Sequence, residues 1–275
     1  MSEPGPLREV IARYGLDARR SLGQHFLLDM NLTARIVRSA GDLAGRHVVE
    51  VGPGPGGLTR PLLESAAADV TVIEIDPRAM AAMRDLAATA GGRLIVLEAD
   101  ARAVDLPALV AAPRKVVANL PYNIASPLLV GWLRQAASFE QLTLMFQQEV
   151  AERICAAPDT PAYGRLSVLA QWIGTAEIAL RIPPAAFVPP PKVWSAVVNL
   201  VPHTIQPDPA LFVRMERLTA AAFGQRRKVL RGSLKPLGGE ALLRSAAIAP
   251  DRRAETLDVA AFDRLVRLMG ADPAA

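Results

Sequence analysis

The chain has 275 residues, 51% of them hydrophobic, with 31 Lys or Arg against 27 Asp or Glu and a net charge of +4. This length fits one large domain, alone or with a small appendage, and the core must be filled by Ala, Leu and Val because aromatics make up only 5%. The single cysteine, Cys155, excludes an internal disulfide and fits a reducing compartment, so the expected location is the cytoplasm. No stretch approaches the roughly 20 apolar residues of a membrane span, and no secretory signal or membrane partner is expected. His25, His47 and His203 show no metal-ligand spacing, and no metal is expected.

Residues 1–30 read as an N-terminal segment, with Arg19 and Arg20 ahead of a Gly-Gln-His-Phe-Leu stretch. A first helix is predicted from Asn31, an N-cap candidate, to about Ala40. Strands near 47–52, 70–76, 93–98 and 115–119 alternate with helices near 58–66, 78–88 and 125–136, the pattern of a parallel sheet covered by helices on both faces. A fifth strand near 142–146 leads into a helix holding Cys155, and another helix is predicted within 163–173. Two late strands, near 177–182 and 193–201, flank a proline-rich loop. A break at 202–207 introduces a smaller, all-helical domain over 205–275, leaving 31–204 as an α/β domain.

The first strand runs into Gly52-Pro53-Gly54-Pro55-Gly56-Gly57, a turn in which missing Cβ atoms let backbone approach a ligand. The next strand carries Glu74 at its end, 22 positions after Gly52, where a carboxylate can accept hydrogen bonds from both ribose hydroxyls of an adenosine ligand. The third ends near Asp100, placed to reach an adenine amino group, while Asp76 is read as organising the turn with Pro77 and Glu50 as ordering the glycine loop. A dinucleotide needs unhindered amides for its pyrophosphate, and Pro53 and Pro55 remove two of them. S-adenosylmethionine, a sulfonium nucleoside without phosphate, fits better; a nicotinamide cofactor is the alternative.

The fourth strand closes on Asn119-Leu120-Pro121-Tyr122. The Asn119 side-chain carbonyl and the Leu120 backbone carbonyl are two acceptors beside the flat face of Tyr122, suited to an exocyclic amine such as adenine N6. A strand-ending turn with a packed tyrosine is the plainer reading. The whole charge excess lies in residues 205–275, which hold 12 Lys or Arg and 8 Asp or Glu, against 19 and 19 in residues 1–204. Arg226, Arg227, Lys228, Arg231 and Lys235 fall in a stretch without an acid; on one helix Arg227, Arg231 and Lys235 would share a face, with Val229, Leu230 and Leu234 inward. Phosphate-backbone contact or a solvated helix face are the two readings.

Several segments together resemble the bacterial small-subunit (16S) ribosomal RNA adenine N6-dimethyltransferases. They are Ser21-Leu22-Gly23-Gln24-His25-Phe26-Leu27, the glycine turn, Val72-Ile73-Glu74-Ile75-Asp76, Asn119-Leu120-Pro121-Tyr122, Tyr163-Gly164-Arg165-Leu166-Ser167, Phe187-Val188-Pro189-Pro190-Pro191-Lys192 and Phe223-Gly224-Gln225-Arg226-Arg227-Lys228. The resemblance implies a Rossmann-like methyltransferase fold with a seven-stranded, mostly parallel sheet and a helical, basic, RNA-binding appendage. It implies that S-adenosylmethionine is held by His25, Leu27, Gly52, Gly54, Glu74, Asp100 and Asn119, residues 1–30 closing over it. Asn119, Leu120, Tyr122 and Phe187 would handle the target adenine, Phe187 matching a second aromatic. His25 departs from the family's usual Asn. The implied partner is 16S rRNA in a small ribosomal subunit or its precursor, with a monomer favoured and a role in subunit biogenesis possible. Two other functions stay open: a large-subunit rRNA methylase of the macrolide-resistance class, and a non-catalytic RNA-binding assembly factor.

Overall fold

The computed structural model describes residues 5–16, 25–225 and 227–270. Arg226, Arg19, Arg20 and Ser21-Leu22-Gly23-Gln24 lie outside them. The strands are β1 (Phe26–Leu27), β2 (His47–Val51), β3 (Asp69–Glu74), β4 (Leu94–Glu98), β5 (Arg114–Asn119), β6 (Gln141–Gln147), β7 (Gly174–Ile182), β8 (Phe187–Val188) and β9 (Ser195–Pro202). The helices are α1 (Leu7–Arg13), α2 (Met30–Ser39), α3 (Thr59–Glu64), α4 (Pro77–Ala87), α5 (Leu106–Leu109), α6 (Tyr122–Leu133), α7 (Gln148–Cys155), α8 (Arg165–Ile173), α9 (Pro209–Phe223), α10 (Leu230–Ser233), α11 (Gly239–Ser245) and α12 (Val259–Leu268).

Seven strands form one sheet in the order β4-β3-β2-β5-β6-β9-β7. Neighbours from β4 to β6 pair in parallel, and β9 pairs antiparallel with β6. Helix cover on both faces explains why β2, β3, β5 and β6 are buried almost throughout and read as continuous rather than alternating apolar runs. Strand order reverses between β2 and β5, so the chain leaves their carboxyl ends in opposite directions and opens a crevice there. The glycine turn follows β2 and Asn119 ends β5, which puts both at that crevice. A second, two-stranded sheet pairs β1 with β8, Leu27 opposite Phe187.

The helix expected from Asn31 is α2, preceded by α1, and it begins one residue earlier: Asp29 is its N-cap, accepting from the amides of Asn31 (2.8 Å) and Leu32 (3.3 Å). The chain divides into two compact units, residues up to Ala151 with Glu177–Pro202, and Glu152–Ala176 with residues from His203. The sequence reading places these bounds at 31–204 and 205–275 instead. Residues 152–176 join the C-terminal helices because α8 packs on α9 and α12, with Tyr163 edge-on to Phe223 and Trp172 stacked on Phe212. The basic stretch is not one helix either. Val229 is extended (φ −73°, ψ 156°) between a turn at Arg227 and the four-residue α10, while Lys235 opens a 3₁₀ turn beside Pro236. The amides of Leu230 and Arg231 bond the carbonyls of Arg252 and Pro250 (2.8 and 3.0 Å), fixing that break. Leu230 and Leu234 are buried and Val229 half-buried; Arg227, Lys228, Arg231 and Lys235 are exposed.

Candidate active site

The glycine turn is built for close approach. A Cβ at Gly54 would stand 2.8 Å from the Phe26 ring, and one at Gly57 would stand 2.6 Å from the Leu27 carbonyl oxygen, so β1 lies directly on the turn. Its amides are largely spoken for: Gly52 donates to Ile73 O (2.9 Å), Gly56 to Pro53 O (2.9 Å), Gly54 to the Glu74 carboxylate, and Pro53 and Pro55 have none. A pyrophosphate would find few donors there. At the end of β2, Glu50 is buried and accepts the Thr59 hydroxyl at 2.7 Å, tying the turn to α3. Burial pushes its carboxyl up to about 8, against the opposing Thr59 hydrogen bond and with help from the charge of Glu74.

The two acids of Glu74-Ile75-Asp76 have separate tasks. Asp76 is turned away, capping α4 through the Arg78 amide (3.0 Å) and pairing with the Arg78 guanidinium (Nε 3.0 Å, Nη2 2.7 Å). Glu74, 7% exposed, faces the crevice; its Oε1 accepts from the amides of Ile75 (2.7 Å) and Asp76 (2.8 Å). Burial raises its pKa, and these amides oppose the rise. Asp100, after β4, caps a short 3₁₀ turn and is gripped by Arg102 (amide 3.0 Å, Nε 3.0 Å, Nη2 2.6 Å). Those bonds hold the Asp100 carboxyl down at about 2, so it is ionised at any physiological pH.

On the β5 side, Asn119 Nδ2 donates to the His25 carbonyl (3.0 Å). Only the amino end of an amide can bond a carbonyl, so the contact orients the side chain and leaves Oδ1 as an acceptor. Tyr122 is the first residue of α6; its hydroxyl meets Ser195 Oγ at 2.7 Å, and burial raises its pKa. The His25 ring stacks on Tyr122 (centroids 5.5 Å apart, 30° between planes), stands edge-on to Phe187 (6.4 Å, 79°), and its Nδ1 is 2.8 Å from the Pro189 carbonyl oxygen.

His25, Leu27, Gly52, Gly54, Glu74, Asp100, Asn119, Leu120 and Tyr122 thus line a single cavity of about 210 Å³. Phe187 does not line it: at 2% exposure it is packed in the core, behind His25, which its ring meets edge-on, and Leu27, its strand partner. Arg227, Lys228 and Arg231 belong to the second unit. Arg102, which lines the cavity, and Ser195, which holds Tyr122, were not singled out from the sequence; the Asp-Ala-Arg spacing at a strand end signals the first, and nothing in a strand's serine signals the second. Among the described residues no group of three His, Cys, Asp or Glu could hold a metal ion, and no helix is long and apolar enough to cross a membrane.

A doubly wound sheet with an inserted antiparallel strand, a glycine turn short of phosphate-binding amides, and acids closing β3 and the β4 turn fit a sulfonium nucleoside and define a methyltransferase. The family model for ribosomal RNA adenine dimethylase matches residues 15–269, and the chain belongs to that family. It is 62% identical over 262 residues to "Ribosomal RNA small subunit methyltransferase A" of Gluconobacter oxydans, covering 95% of this chain and 86% of the relative. It is 54% identical over 272 residues to the protein of the same name in Paramagnetospirillum magneticum, covering 98% and 97%. Among solved structures it resembles a dimethyladenosine transferase from Plasmodium falciparum (TM-score 0.73, 26% identity, 88% of this chain and 96% of that one). It also resembles the 23S rRNA methyltransferase ErmE (TM-score 0.66, 26% identity, 89% and 99%).

Proposed function

We propose that the protein uses S-adenosylmethionine to dimethylate the N6 amines of two adjacent adenosines in the loop near the 3′ end of 16S rRNA. It acts in the cytoplasm, on a small subunit or its precursor, and needs no metal. The observation that carries this reading is the oriented Asn119 amide, whose Oδ1 is left as an acceptor beside Leu120 and Tyr122 in a cavity shared with Glu74 and Asp100. Bound S-adenosylmethionine supplies an electrophilic methyl group and leaves as a neutral thioether.

The protein's own work is binding and aim. Glu74 accepts from the ribose hydroxyls and Asp100 from the adenine amino group of the cofactor, with Leu27, Gly52 and Gly54 closing around it. The lone pair of adenine N6 is delocalised into the ring, which makes the amine a poor nucleophile. Hydrogen bonds from N6 to Asn119 Oδ1 and the Leu120 carbonyl favour a pyramidal nitrogen with its lone pair directed at the methyl group. Such positioning can contribute up to ~7–11 kcal/mol to a two-reactant step. Each transfer forms an N6–methyl bond as the sulfur–methyl bond breaks, and the alkylated nitrogen then loses a proton to solvent, so the dimethylated base retains no hydrogen for either acceptor and is the form held least. Tyr122 stacks on the base, which offsets the cost of turning it out of its surroundings. The basic residues Arg226, Arg227, Lys228 and Arg231 contact phosphates elsewhere on the RNA.

The similarity to relatives named for the small subunit, at 54–62% identity, supports this reading over the large-subunit class. The test is methyl transfer from labelled S-adenosylmethionine to undermethylated small subunits, with large subunits alongside. Label confined to the small subunit is expected. Label in the large subunit would move the protein to the other substrate class, and none in either would make it a non-catalytic binder.

A further inference from the structure

Three tryptophans occur in the chain, and two are accounted for by packing. Trp132 is buried, and Trp172 stacks on Phe212 while its Nε1 donates to Asp263 at 2.9 Å. Trp194 differs: it is 49% exposed, and among the described residues no hydrogen bond or ring contact engages its indole. Its backbone is nonetheless fixed. The Trp194 carbonyl accepts the Gln148 amide at 2.9 Å, and the next residue, Ser195, opens β9 opposite Gln147. Ser195 is buried with its hydroxyl on that of Tyr122, whereas the preceding indole stands half open to solvent.

The segment leading to the indole exposes apolar and basic side chains. Val188 (46% exposed) and Val193 (44%) are both open to solvent, and Lys192 is exposed between them. The segment is anchored to the cavity at both ends, by the Pro189 carbonyl on His25 and by Ser195 on Tyr122. A large flat ring held on rigid backbone, one residue from the hydroxyl that fixes Tyr122, is a stacking platform outside the cavity.

We propose that Trp194 stacks on the unpaired base next to the target adenosine, with Lys192 beside the connecting phosphate. The proposal rests on the RNA-methylating reading given above. An adenosine turned into the cavity deprives its neighbour of a stacking partner, and the indole supplies a replacement. Where the two targets are adjacent, the base on Trp194 is the second adenosine, kept at the rim while the first is methylated.

The test compares the wild-type protein with Trp194→Leu and Trp194→Phe on undermethylated small subunits. It is paired with a titration of intrinsic tryptophan fluorescence by an unstructured RNA oligonucleotide carrying two adjacent adenosines. Trp194→Leu should raise KM for the subunit roughly five- to hundredfold. The affinity for S-adenosylhomocysteine should stay the same, and Trp194→Phe should recover most of the KM loss. The oligonucleotide should quench wild-type fluorescence and leave that of Trp194→Phe nearly unchanged. A KM within twofold of wild type in Trp194→Leu, or equal quenching in wild type and Trp194→Phe, would overturn the role of Trp194. Absence of methyl transfer by the wild-type protein would instead refute the underlying reading, and the quenching comparison would still decide the role of the indole.

Discussion

Glu50→Gln isolates the protonation of a carboxyl sealed into the cavity wall. Glu50 is 2% exposed, and its pKa stands at about 8 against an ordinary 4.5, chiefly because burial disfavours the charged form. Between those two pH values the folded protein holds a proton that the unfolded chain has released, so stability falls as pH rises through the window. The slope is at most ~1.4 kcal/mol per pH unit, or about 5 kcal/mol across the window. Glutamine keeps the volume and an Oε1 that accepts the Thr59 hydroxyl, now bonded at 2.7 Å, and it does not titrate. Glu74, whose pKa is also raised, adds a slope of the same sign to both proteins, and its charge is a smaller cause of the rise at Glu50 than burial. Melting temperatures measured from pH 5 to 8.5 should coincide for wild type and variant at the acidic end. They should diverge toward pH 8, with the variant higher. Parallel curves across the range would refute the burial of a neutral Glu50.

Glu74→Gln removes the charge from the ribose-binding position, where Oε1 is already engaged by two amides at 2.7 and 2.8 Å. It should weaken S-adenosylhomocysteine binding by roughly ten- to a hundredfold in calorimetry, the range of one charge-assisted hydrogen bond; unchanged affinity would remove Glu74 from the site. Tyr122→Phe breaks the 2.7 Å contact with Ser195 but keeps the ring, whereas Tyr122→Ala removes the stack. The alanine variant should raise KM for the subunit several-fold more than the phenylalanine variant, and equal effects would show that stacking is not the role of Tyr122. Changing Arg226, Arg227 and Lys228 together to Ala should weaken RNA binding and flatten its salt dependence, by about 0.7 in log–log slope for each single-strand phosphate no longer neutralised. An unaltered slope would leave the stretch as solvated surface.

Most of the cavity was legible because its residues end strands. Glu74 and Asn119 end β3 and β5 and Asp100 follows β4, parallel strands whose carboxyl ends meet at one crevice once the strand order is fixed. The glycine turn was equally plain, since Gly54 and Gly57 stand where a Cβ would collide with β1. What escaped was set by partners distant in the chain. Periodicity marks 165–173 as an apolar-faced helix without saying that its face meets α9 and α12. The basic residues keep helical spacing on paper, but two amides bonded to the 250–252 segment hold Val229 extended. Asp29 and Asn31 are both capping residues, and only the fold selects Asp29. Phe187 shows the limit from the other side: the motif singles out the aromatic, while β8 pairing with β1 packs its ring beneath His25.

The central claim is that Asn119 aims the acceptor amine, and a single-turnover measurement of Asn119→Ala tests it most directly. Wild type and variant, each saturated with labelled S-adenosylmethionine, are mixed with undermethylated small subunits, and cofactor affinity is measured in parallel. Loss of one preorganised hydrogen-bonding group predicts a rate lower by about 10²–10³-fold, with the cofactor dissociation constant changed far less. A variant that transfers methyl groups at the wild-type rate would contradict the assigned chemistry.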